Sequence, residues 1–493
     1  MPRFGRVLSR EIFPFWLEAG PIRHPLLFST STVFFMPFNP LEFVQELLKI
    51  PSISADANYA GEVERCARVF SEKIASLGFE TELVKTSLHP IIWAERNSKT
   101  PAKIRILCYG HYDVQPIDPI EKWNKPPFEP AVENGRLWGR GSADNKGPFM
   151  CLFGGLMRFL EKNPEAPVDI ALTIEGEEEI SSPSMPEFIK SRKEKLSSYD
   201  AILLSDTSSA SDSQIVITTG LRGVLAFDVK FRGPNSDIHS GMFGGAVLNP
   251  IQAMAEVCAS LHKDGLVDID GFYDEVLPIY DWEKRDIARY PFNEEKIMES
   301  LGVNSLIKQG DLKPSEALRL LPALEFTGIG GGYQGEGNKS VIPSEAFCKI
   351  SIRLVPDQNG RKIYELVKKA IIERCPKGVV AEVSEPDGIG DAYCVIPPNR
   401  EGAPNPYPEK LGKIFGAVED CVKQNFGNPP IFLREGASIP LLSLLKKETG
   451  LDSVMTGLFS PLDNLHAPNE SFSLTMMERA LNYYEALFER ISK

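Results

Sequence analysis

The stretch Ile104-Arg105-Ile106-Leu107-Cys108-Tyr109-Gly110-His111-Tyr112-Asp113 decides how the chain folds. Ile104–Tyr109 is a short apolar run that stops at Gly110, as a buried strand does, and a histidine and an aspartate follow it. The same arrangement recurs downstream. Val168–Ile174 runs into Glu175-Gly176-Glu177-Glu178-Glu179, and Ala201–Leu204 runs into Ser205-Asp206. Segments with helical spacing of apolar residues lie around them, at Leu41–Ile50, Ala60–Leu77 and Lys146–Leu160. Helices alternating with short, continuously apolar strands predict βαβ units, hence an α/β fold around a mostly parallel, twisted sheet.

The character changes at Thr219-Gly220. Gly223–Phe231 alternates apolar and polar residues as a strand does, and Pro250–Leu261 reads as a helix. Residues 262–335 read as irregular, rich in Gly, Pro and charge. A strand at Ser344–Val355, a helix at Arg361–Arg374 and a strand at Val379–Val383 follow, so that 221–395 is expected to be a smaller α+β unit inserted into the α/β domain. After the Pro-rich stretch Pro397–Pro408 the alternation resumes with Lys410–Asn425, Ile431–Leu433, Ser453–Leu458 and a terminal helix Leu474–Ile491. The α/β domain is thus expected to comprise 39–220 and 396–493. Residues 1–38 read as an N-terminal extension; Met36 opens the stretch that leads into the first amphipathic helix, and 1–35 are expected to be an upstream translation extension or a disordered arm.

Composition narrows the function. The 493 residues carry a formal net charge of −13 with a pI near 5.2. That balance argues against nucleic-acid binding and against electrostatic adhesion to an anionic membrane. No apolar run reaches the ~20 residues that span a bilayer. Eight scattered cysteines without a CxxC pair suit neither a disulfide framework nor a zinc ribbon, and a reducing, cytoplasmic setting is expected. No G-x-S-x-G elbow is present, and Cys108 and Cys151 read as core, which disfavours a serine or cysteine hydrolase.

In an open α/β sheet the carboxyl ends of the parallel strands form one rim, where ligands bind. His111, a glutamate of the acidic run and Asp206 are therefore expected to converge. Asp144 stands just before a helix, and His466 follows the late strand Ser453–Leu458. Only six histidines exist in the chain, and an imidazole cluster must draw on them. Two imidazoles and three carboxylates on one rim call for cations; two divalent ions sharing one carboxylate satisfy them. Mixed His and carboxylate ligation suits catalytic zinc and also accommodates Mn²⁺.

These motifs resemble those of the di-zinc metallopeptidase family of carnosine dipeptidase and cytosolic non-specific dipeptidase, which also holds aminoacylase, acetylornithine deacetylase and succinyl-diaminopimelate desuccinylase. The resemblance rests on Gly110-His111-Tyr112-Asp113-Val114-Gln115-Pro116, Gly139-Arg140-Gly141-Ser142-Ala143-Asp144-Asn145-Lys146-Gly147, the acidic run, Asp237-Ile238-His239-Ser240-Gly241 and Arg434-Glu435-Gly436-Ala437-Ser438. It spans about residue 40 to the C-terminus. HYDVQP, LWGRGSADNKGP and SIRLVP together make the chain most similar to the dipeptidase branch.

The resemblance implies hydrolysis of the amide bond of dipeptides or short peptides, with N-acyl-amino-acid deacylation as the alternative. It implies His111, Asp144 and Asp206 as ligands of one metal and Asp144, Glu179 and His466 as ligands of the other. The metals would be two divalent ions per subunit, Zn²⁺ or else Mn²⁺. Glu178 aligns with the general base, with Glu177 as the alternative because three consecutive glutamates permit a slip. A cis peptide is expected between Asp144 and Asn145; Asn145 stands where the family often has a second Asp. Asp113 is read as accepting the free N–H of a ligand histidine. His239 is expected to polarise the substrate carbonyl from the partner subunit, so the protein would act as a homodimer with the insert as lid and dimer-forming unit. Arg353, inside the apolar strand, needs an anion, and a substrate carboxylate suits its guanidinium. Ser340 and Ser438 match positions that bind the substrate's terminal carboxylate.

Overall fold

The computed structural model describes residues 38–493. The expectations for 1–37 lie outside the described residues. The backbone of the fold is a nine-stranded sheet. At its centre Val168–Glu175, Ile104–His111, Ala201–Ser208 and Ser453–Phe459 run parallel, in that spatial order. Toward one edge the antiparallel strands Ile91–Arg96 and Glu80–Val84 extend the sheet. Toward the other, Val216–Leu221 joins antiparallel, flanked by Ile431–Glu435 and Tyr393–Cys394. The four central strands are buried almost throughout, as their unbroken apolar runs require.

Helices cover the sheet. Pro40–Leu48 begins where Asn39 accepts from the Glu42 N–H, with proline in the first turn, and buries Phe43, Val44, Leu47 and Leu48. Lys146–Lys162 packs along the terminal helix Leu474–Ile491. The contact is intimate because Gly154 and Gly155 carry no side chain. A Cβ at Gly155 would stand 2.4 Å from the Tyr484 Cβ, and one at Gly154 would stand 2.5 Å from a Leu481 methyl.

A second, five-stranded antiparallel sheet is built from the intervening chain. Ala323–Gly331, Glu345–Leu354, Gly223–Arg232 and Val380–Val383 lie side by side, and Ile389–Gly390 also pairs with Gly223–Arg232. Gly223–Arg232 and Glu345–Leu354 alternate buried and exposed residues, so one face packs under the helices Pro250–Ser260 and Gly360–Arg374. This apolar cluster is separate from that of the large sheet.

The segment 262–335 is not irregular as its composition suggested. It contains the helices Asp281–Arg289, Glu294–Leu301 and Pro314–Leu320 and then the edge strand Ala323–Gly331. Among the described residues no helix is long and apolar enough to cross a membrane.

Candidate metal centre

The carboxyl ends of the central strands meet as topology requires. His111 ends its strand directly opposite Glu175. Asp206 lies near the end of the neighbouring strand, and His466 follows the strand Ser453–Phe459 through a short 3-10 turn. Asp144 enters from the loop before the helix Lys146–Lys162. The result is two groups of three donors, His111 with Asp144 and Asp206, and Asp144 with Glu179 and His466; in each group the donor atoms lie within 4.8 Å of one another.

Asp144 is the hinge of both groups. Its Oδ1 is 3.2 Å from His111 Nε2, and its Oδ2 is 2.8 Å from His466 Nε2. Asp206 Oδ2 lies 3.5 Å from the same His111 nitrogen, and Glu179 Oε2 lies 3.4 Å from the same His466 nitrogen. The Asp144–Asn145 peptide is cis, as expected, and Asn145 donates its Nδ2–H to Asp206 Oδ1 at 2.7 Å. Gln115 donates to Glu179 Oε2 at 2.7 Å, while Glu179 Oε1 is buried without a partner. His466 is solvent-facing and holds a left-handed backbone, φ 56°, a conformation rare outside glycine that clusters at functional sites.

Asp113 is wholly buried and organises this rim. Its Oδ1 is 3.3 Å from His111 Nδ1, and its backbone carbonyl is 3.1 Å from the same nitrogen. Its carboxylate also accepts from Ser54 Oγ at 2.6 Å and from the backbone N–H groups of Glu178 and Glu179 at 3.3 and 3.1 Å. The acidic run is thereby sorted. Glu177 turns inward and accepts from the His89 and Ser184 N–H groups and from the Ser184 and Thr86 hydroxyls.

The electrostatics are those of an anionic nest. Burial, followed by the charges of Asp206, Asp144 and Asp113, pushes the Glu178 carboxyl well above the usual range against the pull of His111. Burial and Asp144 push Glu179 up to about 10. Burial opposes charge on His111, but Asp206, Asp113 and Asp144 outweigh it and hold its pKa well above that of a free imidazole. Burial likewise raises Asp206, whereas Asp144, though burial opposes its charge, is held well below the usual carboxylate range by the hydrogen bonds and charges of His111 and His466. Proton-holding carboxyls around one strongly anionic carboxylate, with the Glu179 Oε1 atom buried and unpartnered, fit divalent cations, which would replace the protons.

Sequence reasoning missed the groups that hold this rim. Glu470 is completely buried and accepts from Arg140 Nη1 at 2.8 Å and from the N–H groups of Gly141, Ala143 and Asp144 at 3.0, 2.7 and 3.1 Å. Gln115 stood inside the quoted HYDVQP motif and could have been singled out by its proximity to His111. Arg222 was passed over in the same way; it donates to the Gly436 carbonyl at 2.9 Å, beside Ser438.

The remaining expected residues fall into two places. Arg353 donates to Ser438 Oγ at 2.9 Å, so that pair does come together. His239 and Ser340 do not join the cluster. His239 sits on a two-stranded ribbon, Ile238–His239 against Val341–Ile342, and Ser340 just precedes its second strand, where its carbonyl accepts from the Ser240 N–H. His239 is exposed and accepts from the Gly241 N–H.

The chain is similar to known proteins. The chain is 29% identical over 478 residues to the Cys-Gly metallodipeptidase DUG1 of Candida albicans, covering 91% of this chain and 96% of that protein. It is 28% identical over 455 residues to the Beta-Ala-His dipeptidase of Homo sapiens, covering 88% and 86%. The crystal structure of the M20 family metallo-carboxypeptidase Sso-CP2 from Sulfolobus solfataricus superposes with a TM-score of 0.75 at 29% identity, covering 92% of this chain and 99% of that one. Residues 107–490 match the model of peptidase family M20/M25/M40, and the chain belongs to that family.

Proposed function

We propose that the protein is a metal-dependent dipeptidase that hydrolyses the amide bond of dipeptides or short peptides, with two divalent ions, Zn²⁺ before Mn²⁺, held by His111, Asp144, Asp206, Glu179 and His466. What carries this reading is Asp144, whose two oxygens face the two donor groups separately. When bound, such ions act as Lewis acids and make a water acidic enough to lose its proton near neutral pH. Glu178 takes that proton and delivers it to the leaving nitrogen, a task that suits a carboxyl whose pKa is raised by burial and by the neighbouring carboxylates. Asp113 holds the His111 ring and the Glu178 backbone in register. Arg353 and Ser438 receive the substrate's terminal carboxylate.

His239 and Ser340 act on the active site of the partner subunit in a homodimer. This is supported by their joint position away from the cluster and by the exposed apolar neighbours Met242 and Phe243, 74% and 42% accessible. Residues 39–220 and 396–493 then form the metal-binding catalytic domain in a cytoplasmic enzyme, with 221–395 as lid and dimer-forming insert.

The test is to strip the purified full chain with chelator, restore Zn²⁺ or Mn²⁺, and assay dipeptides beside N-acetyl amino acids. Dipeptide turnover that returns only with metal is expected. Turnover of N-acetyl amino acids alone, or dipeptide turnover that survives complete metal removal, refutes the reading.

A further inference from the structure

The turn that follows the acidic run is held in a conformation its residues do not favour. Ser181 and Ser182 are consecutive and both left-handed, at φ 72° and 52°. Serine seldom adopts this region, which glycine takes freely, and two such residues in a row persist only where their surroundings fix them. They close the 3-10 turn Glu178–Ile180, which carries Glu178 and Glu179. The Ser181 N–H donates to the Glu178 carbonyl at 2.9 Å, and the Ser182 N–H donates to the Glu177 carbonyl at 2.8 Å.

This conformation puts one hydroxyl in place. Ser182 Oγ donates to Glu175 Oε1 at 2.9 Å, and the Tyr109 hydroxyl donates to the same oxygen at 2.7 Å. Glu175 is wholly buried and ends its strand directly opposite His111. Its carbonyl accepts from the Tyr112 N–H at 2.8 Å. Gly176, next in the chain, passes so close to the Tyr112 ring that a Cβ there would stand 2.4 Å from it. Side chain and backbone thus tie Glu175 to the segment that carries His111, and Ser182 ties the far end of the acidic turn back to Glu175. The near end is fixed on Asp113 through the Glu178 and Glu179 N–H groups. A turn held at both ends cannot tilt its side chains against the metal rim.

We propose that Ser182, acting through Glu175, is a positioning residue for Glu178: its hydroxyl sets the tilt of the turn and so the reach of the Glu178 carboxylate toward the metal rim. Ser181, which is exposed, supplies only the bend. This rests on the dipeptidase reading above and goes further by assigning the group that places the base. A displacement of about 1 Å at a reacting group can cost about 10²-fold in rate while binding stays intact.

The experiment compares Ser182→Gly, Ser181→Gly and Ser182→Asn with the parent, each as the Zn²⁺-loaded full chain, on Ala-Gly, Ala-Leu and Ala-Glu. Glycine eases the left-handed backbone at either position, so the two glycine variants loosen the turn alike and differ in the hydrogen bond to Glu175. Ser182→Gly should lower kcat by about 10- to 100-fold, with KM little changed and Zn²⁺ content unaltered by elemental analysis. Ser181→Gly should keep the parental kcat. Asparagine tolerates the left-handed region and carries a donor, so Ser182→Asn should turn over faster than Ser182→Gly. In urea unfolding of the metal-free chains, Ser182→Gly gains backbone ease and loses one hydrogen bond, and its midpoint should stay near that of the parent. Parental kcat in Ser182→Gly, an equal loss in both glycine variants, or Ser182→Asn no better than Ser182→Gly overturns this inference and leaves the dipeptidase reading standing. A loss of kcat that travels with lost Zn²⁺ or a collapsed midpoint is structural and overturns it too. No dipeptide turnover in the loaded parent overturns both.

Discussion

Replacing Glu470 by glutamine changes one atom far from solvent, and the structure sets how much that should cost. Glu470 and Arg140 are 0% and 1% exposed and lie 2.8 Å apart. One carboxylate oxygen serves Arg140 and Gly141, the other Ala143 and Asp144. A glutamine can keep one of these pairs; its NH₂ end then faces two donors. In either orientation the amide is neutral, so the buried Arg140 guanidinium loses its counter-charge, which typically costs about 3–5 kcal/mol. If the NH₂ end faces the backbone side, two buried N–H groups are orphaned as well, at about 1–3 kcal/mol each. A loss of at least about 3–5 kcal/mol is therefore expected in urea unfolding of the metal-free chain. Because Asp144 N is one of the donors, Zn²⁺ affinity measured by calorimetry should also drop, by about 10- to 100-fold. The double variant Glu470→Gln/Arg140→Met removes both charges and should recover part of the stability, giving a favourable coupling energy in the cycle. Stability within 1 kcal/mol of the parent (on the order of an ordinary surface substitution) together with unchanged metal affinity would refute the reasoning.

Glu178→Gln should keep its metals by elemental analysis and lose about 10²- to 10⁴-fold in turnover, whereas Glu177→Gln should chiefly lose stability; the opposite pattern would shift the base by one residue. Chelation should lower the unfolding midpoint, and free metal at 1,000 times its Kd should restore about 4 kcal/mol, so a midpoint indifferent to metal would argue against the site. Burial raises Glu175 from 4.5 to about 8 despite the Tyr109 hydrogen bond, with Asp113 adding to the rise. The unfolded chain sheds this proton near 4.5 and the metal-free folded chain near 8, so the stability its protonated form contributes is full below 4.5 and lost by 8. Glu175→Gln should therefore gain on the parent across that window, and a constant difference in unfolding free energy would contradict it. His239→Ala mixed with Glu178→Gln should regain one working site per heterodimer, and a mixture that exchanges subunits yet stays inactive would exclude action in trans.

Much of the fold was legible because the central strands are buried on both faces. Continuous apolar runs such as Ile104–Tyr109 and Val168–Ile174 admit few other readings, and the terminal helix Leu474–Ile491 declares itself by its buried stripe and the Ser473 cap. The segment 262–335 hid its helices for the converse reason. Glu294–Leu301 buries nothing, so it offers no core-facing stripe; its signals are the Asn293 cap and Gly302 at φ 67°, local chemistry that composition averages away. The edge strand Glu80–Val84 is largely exposed and was equally silent. At the site, the donors were legible because each follows a strand or opens a helix. Their support was not, since Arg140 meets Glu470 across 330 positions. Ion pairs between distant segments leave no spacing in the chain.

The acidic run shows how one fold gives identical residues different work. Three consecutive glutamates have the same intrinsic acidity, and backbone direction separates them. Glu177 has its carboxylate occupied by four donors from the 86–89 and 184 segments, which leaves no free oxygen for a moving proton. Glu178 and Glu179 have their backbone N–H groups fixed on Asp113, so both side chains point to the rim. There Glu179 joins His466 and Asp144, while Glu178 lies among like charges that make it hold a proton more tightly. Of the three, Glu178 lies outside both donor groups and clear of the donors that occupy Glu177, and burial and the neighbouring carboxylates raise its pKa, as suits the proposed general base. The same Asp113 carboxylate meets the far nitrogen of His111. One buried group thus orients an imidazole of the first donor set and the peptide that carries Glu178, the proposed base. A change at Asp113 should therefore displace His111 and Glu178 together, and its effect on turnover should exceed what the loss of either contact alone would produce.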